Sequence, residues 1–285
     1  MQDKFTRRAF IKWIGAAAAA SGFTFVSRTS ALAAHTTDNK ASAAMKATST
    51  VVPAPRPAIP QDEQRFLASH ELIKGDTTRK VVMMTYDDIL DDERLAHLLD
   101  VYREYSLKCS FFFIGIDLES CCATLPRLIA EGHDLGCHGW IHDSAYSSLT
   151  DQNIHEQFGK FFTKVADILP GYRVRYFRAP YGDRNQRIRD LAAGWGMQHV
   201  LWSLESGGSY ENEGSPLVTT HNVIDRVING SIVLSHANRR FDVSEADVIV
   251  RELVRKGYSL ENLTTGMHPN DKWTQYLDNE IFGVI

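Results

Sequence analysis

Cysteine is scarce in this chain. Only Cys109, Cys121, Cys122 and Cys137, four of 285 residues, carry thiols, and no two form a Cys-x-x-Cys pair. The thiolate metal sites and redox motifs that need such spacing are therefore excluded. Cys121 and Cys122 are adjacent, which is poor geometry for a mutual bridge, so all four are expected to be buried free thiols. An excess of one charge is missing too: 31 Lys+Arg stand against 35 Asp+Glu, a net charge of −4. So mild a balance argues against nucleic acid and against anionic membrane surfaces as main partners. No repeat of fixed period is present. What remains is an ordinary globular composition, 44% hydrophobic and 23% charged, enough for one large core or one α/β domain with appendages.

The first 33 residues read as an export signal and not as part of a fold. TRRAFIK places Arg7 and Arg8 ahead of Phe10 and Lys12, and the stretch WIGAAAAASGFTFV and an A-x-A-like site at Ala31–Ala33 follow. That is a twin-arginine pattern, and the stretch is short and weakly apolar for a spanning helix. The expectation is export by the twin-arginine machinery to the periplasm or the cell exterior. Cleavage takes five basic residues and one acidic residue with it, leaving a more acidic chain. No lipid-attachment cysteine follows the signal and no C-terminal anchor is evident, so no stable membrane anchor is expected after cleavage. Residues 34–62 are rich in Ala, Ser, Thr and Pro without apolar periodicity, the composition of a flexible tether. The expected organisation is a signal at 1–33, a flexible linker and lead-in at 34–74, the main domain at 75–266 and a tail at 267–285.

Within the main domain, apolar strand candidates recur: VVMMTY (81–86), SFFFIG (110–115), HDLGCH (133–138), VRYFRA (174–179), HVLWSL (199–204), SIVLSH (231–236) and YSLENL (258–263). Helical patterns lie between them. Leu95, Leu98, Leu99 and Tyr102 share one face, as do Ile154, Phe158, Phe161, Phe162, Val165 and Leu169. Ser244 with Asp247 opens a further helix that Gly257 ends. Alternating strands and helices, with near-continuous apolar strands, predict an α/β fold built on a buried parallel sheet. About seven parallel strands fall one short of a regular eightfold barrel, so a distorted or incomplete (β/α) barrel is expected.

Polar or aromatic residues close five of these strands: Asp87–Asp88, His138, Arg178, Trp202–Glu205 and His236. In such barrels the C-terminal strand ends converge on one mouth, where reactive groups gather. His138 and His142, four apart, can hold one cation if the chain curls after the strand; along a straight strand they would stand roughly 13 Å apart. Two histidines and one carboxylate leave a metal with open positions, the catalytic arrangement, and zinc fits first, with cobalt or manganese compatible. Successive strand residues point opposite ways, so of the two aspartates one can bind the cation and the other can act as general base. Asp91 and Asp92 are read as caps, and His133 as a satisfied core histidine. No role falls to His35, His70, His97, His155, His199, His221 or His268.

TYDD, GHDLGCHGWIH, FRAPYG, LWSLE and IVLSH, in this order and spacing, resemble the five motifs of polysaccharide deacetylases, the NodB-homology domains of carbohydrate esterase family 4. The likeness covers about residues 78 to 266. It implies a deformed (β/α) barrel and metal-dependent removal of N-acetyl groups from an acetylated glycan. It makes Asp87 the catalytic base, Asp88, His138 and His142 the metal ligands, and Arg178 the group that holds Asp87 ionised. Tyr181 would lend its backbone N–H to the oxyanion, Trp202 and Leu234 would wall the acetyl pocket, and His236 would be the general acid. Two departures stand out. Ile89 and Leu90 follow the aspartates where the family has Gly, often with Pro, so the groove floor is expected to be reshaped. The fourth motif reads LESGGSYENEG and lacks the family's Asp, leaving Glu205, Glu211 or Glu213 as substitutes, or His236 without a carboxylate; the Gly-rich loop Ser206–Pro216 is expected to be mobile. Two other functions fit the same residues: a metal-bearing carbohydrate-binding module without turnover, and an acetyl-ester deacylase acting on xylan.

Overall fold

Most of the strands are buried on both faces, as a parallel sheet covered by helices requires. In the computed structural model, which describes residues 58–207 and 215–267, β1 (Val81–Asp87) is buried along its whole length. β2 (Ser110–Phe113), β3 (Asp134–Cys137), β4 (Tyr176–Phe177) and β5 (Gln198–His199) extend the sheet on one side of β1. β6 (Leu204–Glu205) and β7 (Ser231–His236) extend it on the other, in the order β5-β4-β3-β2-β1-β7-β6. β8 (Ser259–Leu260) joins the start of β1. Every one of these pairings is parallel. The residues expected to form the export signal, most of the expected linker and the tail beyond residue 267 lie outside the described residues.

β5 and β6 belong to one extended stretch, which the sequence presents as a single strand over 199–204. Its first half pairs with β4 and its second half with β7. The two ends of the sheet are thus the same piece of chain, and the sheet curls into a distorted barrel of seven parallel strands when that stretch is counted once. The seam is filled by residues 72–75: Leu72 N–H donates to His199 O (3.0 Å), Leu201 N–H to Leu72 O (2.8 Å) and Gly75 N–H to Gly230 O (2.8 Å). Alternation along the strands sends Met83, Phe112, Tyr176, Val200 and Ile232 into one cluster with Leu67, Leu263 and Met267 inside the barrel. Val82, Met84, Tyr86, Phe111 and Phe113 pack outward with the helices. No helix among the described residues is long and apolar enough to cross a membrane.

Three sequence expectations need correction here. The ordered fold begins before residue 75: Gln61–Ser69 is a helix that packs on Gln186–Ala193 and buries Leu67. Its sequence, QDEQRFLAS, holds too few apolar residues to show helical periodicity. The helix expected from Ser244 instead starts at Ala246, after a short separate helix Arg240–Ser244. Of the four free thiols, Cys109, Cys121 and Cys137 are buried, but Cys122 is exposed. It sits at the end of a 3₁₀ turn (Gly115–Cys121), where one neighbour faces in and the next must face out.

Glu71 clamps the early segment onto the barrel. It lies 3.4 Å from His199 Nδ1 and accepts a 2.8 Å hydrogen bond from Arg189 Nη1. The His199 contact is the main reason its carboxyl falls from the ordinary 4.5 to about 2, with burial opposing and Arg189 assisting. A lowered folded value means the stabilisation is present above 4.5 and lost as pH falls toward 2. Glu71→Gln should therefore lower unfolding free energy in urea by about 1 kcal/mol at pH 7, solvent screening having removed the rest, and the gap should close as pH falls from 5 toward 2. A gap unchanged across that range would refute the clamp.

Candidate active site

The C-terminal strand ends open into a cleft of about 630 Å³. Asp87 ends β1, and its Cα neighbours across the sheet are Phe112 and His236. His138 follows β3 directly and Arg178 follows β4. Asp87, Asp88, His138, His142, Tyr181, Trp202, Leu234 and His236 all line the cleft, while Arg178 lies behind Asp87.

Arg178 is fully buried, and a guanidinium in such a place must find partners for its charge and its N–H groups. Nη1 donates to Asp87 Oδ1 at 2.7 Å and to Thr85 Oγ1 at 2.9 Å. Nη2 donates to Leu201 O at 3.0 Å, and the guanidinium lies 4.2 Å from the centre of the Phe112 ring. Burial alone would push the Asp87 carboxyl up, but Arg178, then His138 and His236, outweigh it and hold Asp87 below the ordinary carboxylate range. Oδ1 is occupied by Arg178, so Oδ2 is the oxygen that faces the cleft.

Asp88 breaks the alternation expected of adjacent strand residues. Its φ is 58°, a left-handed conformation rare for a residue with a side chain. The turn brings its carboxylate to the same side as that of Asp87. His138 Nε2 lies 3.6 Å from Asp87 Oδ2 and 3.7 Å from Asp88 Oδ1. The chain also curls after β3, through Gly139 at φ 87°, and puts the His138 and His142 rings 5.0 Å apart between centres. Gln157 pins that curl, its Oε1 accepting from Trp140 N (3.0 Å), Ile141 N (3.3 Å) and the Tyr146 hydroxyl (3.2 Å).

These residues fit a divalent cation. One ligand atom each from Asp88, His138 and His142 lies within 4.8 Å of the others, close to what metal–ligand bonds of about 2.0–2.2 Å span. Asp88 Oδ1 is buried and makes no hydrogen bond, while Oδ2 accepts from Asn238 Nδ2 at 3.1 Å. His138 Nδ1 lies 2.8 Å from Arg178 O, so its proton sits there and Nε2 keeps its lone pair toward the site. Burial, with the Asp87 charge adding to it, raises the Asp88 carboxyl, and a cation against Oδ1 reverses that.

The remaining groups ring this centre. Tyr181, also left-handed at φ 62° and 65% exposed, puts its ring 4.5 Å from that of His142 and donates its hydroxyl to His142 O at 3.2 Å. Trp202 packs over Gly182, where an added Cβ would come within 2.5 Å of the indole. Ile89 is swallowed by the core and Leu90 stays partly exposed at the cleft, which is how the bulky pair replaces the usual turn residues. His133 accepts from Cys109 N at 3.1 Å as a satisfied core histidine, and Asp91 caps its helix by accepting from Arg94 N at 2.9 Å. Glu205 does not reach His236: its carboxylate stands 3.6 Å from Arg239. Glu211 and Glu213 lie outside the described residues. Among the described residues the carboxylate beside His236 is that of Asp242, which the motif pattern gives no reason to select.

A family profile described as polysaccharide deacetylase matches residues 74–200. A peptidoglycan-N-acetylglucosamine deacetylase of Bacillus cereus is 30% identical over 187 residues, 63% of this chain and 84% of the relative. The chain belongs to the polysaccharide deacetylase family. Among other family relatives, the peptidoglycan-N-acetylmuramic acid deacetylase PdaC of Bacillus subtilis is 28% identical, across 70% of this chain and 41% of its own length. The chain therefore spans less than half of that relative. The fold agrees with two solved family structures. The Bc1960 peptidoglycan N-acetylglucosamine deacetylase superposes with a TM-score of 0.64 at 23% identity, over 73% of this chain and 97% of the other. A carbohydrate esterase family 4 pseudoenzyme from Bacillus anthracis does so at 0.63 and 20%, over 70% and 69%.

Titration with zinc by calorimetry should find one ion per chain. Alanine at Asp88, His138 or His142 should weaken it by at least about 100-fold, and Asn238→Ala by about 10-fold. Asp87→Asn should leave it within a few-fold. Equal weakening by Asp87→Asn would make Asp87 a ligand instead.

Proposed function

We propose that this chain is an exported, metal-dependent hydrolase that removes N-acetyl groups from an amino-sugar polymer or oligomer of the chitin, peptidoglycan or poly-N-acetylglucosamine kind. The observation that carries this reading is the meeting of Asp88, His138 and His142 beside Asp87, itself paired to a buried Arg178, at the floor of an open cleft. Export is supported by Arg7–Arg8 and the Ala31–Ala33 site.

When bound, a divalent ion, zinc first, polarises the acetyl carbonyl and makes water a better nucleophile. The protein's own groups do the rest. Asp87 Oδ2 takes the proton of the attacking water, and Arg178 keeps that carboxylate ionised and aimed. The oxyanion that develops on the carbonyl oxygen is met by the backbone N–H of Tyr181, already fixed in its turn. Trp202 and Leu234 wall the space for the methyl group. His236 gives a proton to the departing nitrogen, without which an amine is too poor a leaving group.

A carbohydrate-binding module without turnover is the rival from another class, motivated by the altered fourth motif. An acetyl-ester deacylase on xylan would use the same groups on a differently shaped substrate. One panel separates the three: acetate release from chitin oligomers, peptidoglycan, poly-N-acetylglucosamine and acetylxylan, with zinc or with EDTA. The proposal expects chelator-sensitive release from at least one N-acetylated glycan and a loss of about 10³-fold in Asp87→Asn. Sugar binding with no acetate from any of them would establish the module instead.

A further inference from the structure

The nitrogen of His236 that faces the interior, Nδ1, is buried and makes no hydrogen bond. Among the described residues the carboxylate beside it is that of Asp242, Oδ2 standing 4.0 Å away. Asp242 is 2% exposed and held from both sides. Its Oδ2 accepts from the backbone N–H of His236 itself at 2.8 Å, and its Oδ1 from the Ser206 hydroxyl at 2.7 Å. Ser206 is itself buried and anchored, its N–H donating to Leu234 O at 2.9 Å and its carbonyl accepting from Asn222 Nδ2 at 3.2 Å. A carboxylate fixed this firmly cannot move to the ring, but a small turn of the ring, about 1 Å at Nδ1, completes the hydrogen bond.

We infer that Asp242 is the positioning residue of the acid histidine, holding a proton on Nδ1 of His236 so that Nε2 is aimed at the departing nitrogen. This rests on the deacetylase reading above and adds to it a carboxylate from the short helix after β7, beyond the histidine in the chain. The charged groups around the ring are Asp87, Arg239, His138, Arg178 and Asp242. Burial draws the imidazole down to about 4, with the Asp87 charge opposing it, so that alone it would be a poor holder of a second proton; a hydrogen bond from Nδ1 to the Asp242 carboxylate would favour the protonated ring. In the step itself, the imidazolium gives its Nε2 proton to the sugar nitrogen as the carbon–nitrogen bond breaks and its electron pair stays on nitrogen. Acetate and the amine leave, and His236 remains neutral, keeping its Nδ1 proton and donating it in a hydrogen bond to Asp242.

The test compares two substrates in the full chain loaded with zinc. An N-acetylglucosamine oligomer needs its leaving amine protonated; 4-nitrophenyl acetate does not. Asp242→Asn should lower kcat on the oligomer about 100-fold with KM within two-fold, and change turnover of the ester less than three-fold. Ser206→Ala, which frees the carboxylate without removing it, should move the same ratio in the same sense by about three- to ten-fold, and Asp242→Glu should recover part of the oligomer activity. Equal losses on both substrates, or none on either, would overturn the inference. Histidine-selective ¹⁵N NMR decides it without turnover: wild type should carry the His236 proton on Nδ1, and Asp242→Asn should lose that preference. An unchanged tautomer overturns the inference, whereas wild type inactive on every acetylated substrate overturns the deacetylase reading alone.

Discussion

A buried ion pair holds this molecule and its site together. Arg178, wholly inside the barrel, is neutralised by Asp87 at 2.7 Å. Removing either partner from such a pair costs about 3–5 kcal/mol, because the other is left charged and unpaired in a poor solvent. The same guanidinium binds Thr85 on β1 and the carbonyl of Leu201 in the stretch that joins the two ends of the sheet. One side chain therefore ties Asp87, the proposed base, to the strand that carries it and to the closure of the barrel. Its backbone carbonyl accepts a hydrogen bond from Nδ1–H of His138, which sets the tautomer of a proposed metal ligand. Fold stability, the ionisation of Asp87 and the readiness of the proposed cation site are one arrangement.

Around that arrangement the backbone is strained at two places, Asp88 and Tyr181, each left-handed and each costing about 1–3 kcal/mol. Both line the cleft. The strain at Asp88 turns a carboxylate that would otherwise point away, and Asn238 then holds one of its oxygens and leaves the other bare. The strain at Tyr181 lies in the tight turn Pro180–Gly182 that fixes the peptide proposed for the oxyanion. Core packing offsets such costs, and the site sits on the ends of rigid strands, where small misplacements are least tolerated.

Much of this was legible in the chain because buried parallel strands read as unbroken apolar runs, so a polar residue at the end of one is conspicuous. VVMMTY running into Asp87, and SIVLSH ending on His236, mark the rim without any partner being known. What depends on distant pairing was not legible. The stretch from Gln198 to Glu205 looks like one strand, and only the positions of β4 and β7 divide it. Adjacent aspartates predict opposite faces, and only a backbone turn at Asp88 overrides that. Asp242 lies six residues past His236, just ahead of the helix expected from Ser244, and nothing local says that the chain folds back to put it against the ring. Glu205 sits where a substitute carboxylate was expected, yet Arg239 claims it.

The central claim is spatial: one ion held by Asp88, His138 and His142, with Asp87 outside its bonds and still on Arg178. Crystals grown with zinc and measured across its absorption edge test this in a single anomalous difference map. The account predicts one strong peak at about 2.0–2.2 Å from a carboxylate oxygen of Asp88 and a ring nitrogen of each histidine, with Asp87 farther away and bonded to the guanidinium. A peak bonded to Asp87, or zinc bound only elsewhere on the molecule, would contradict it.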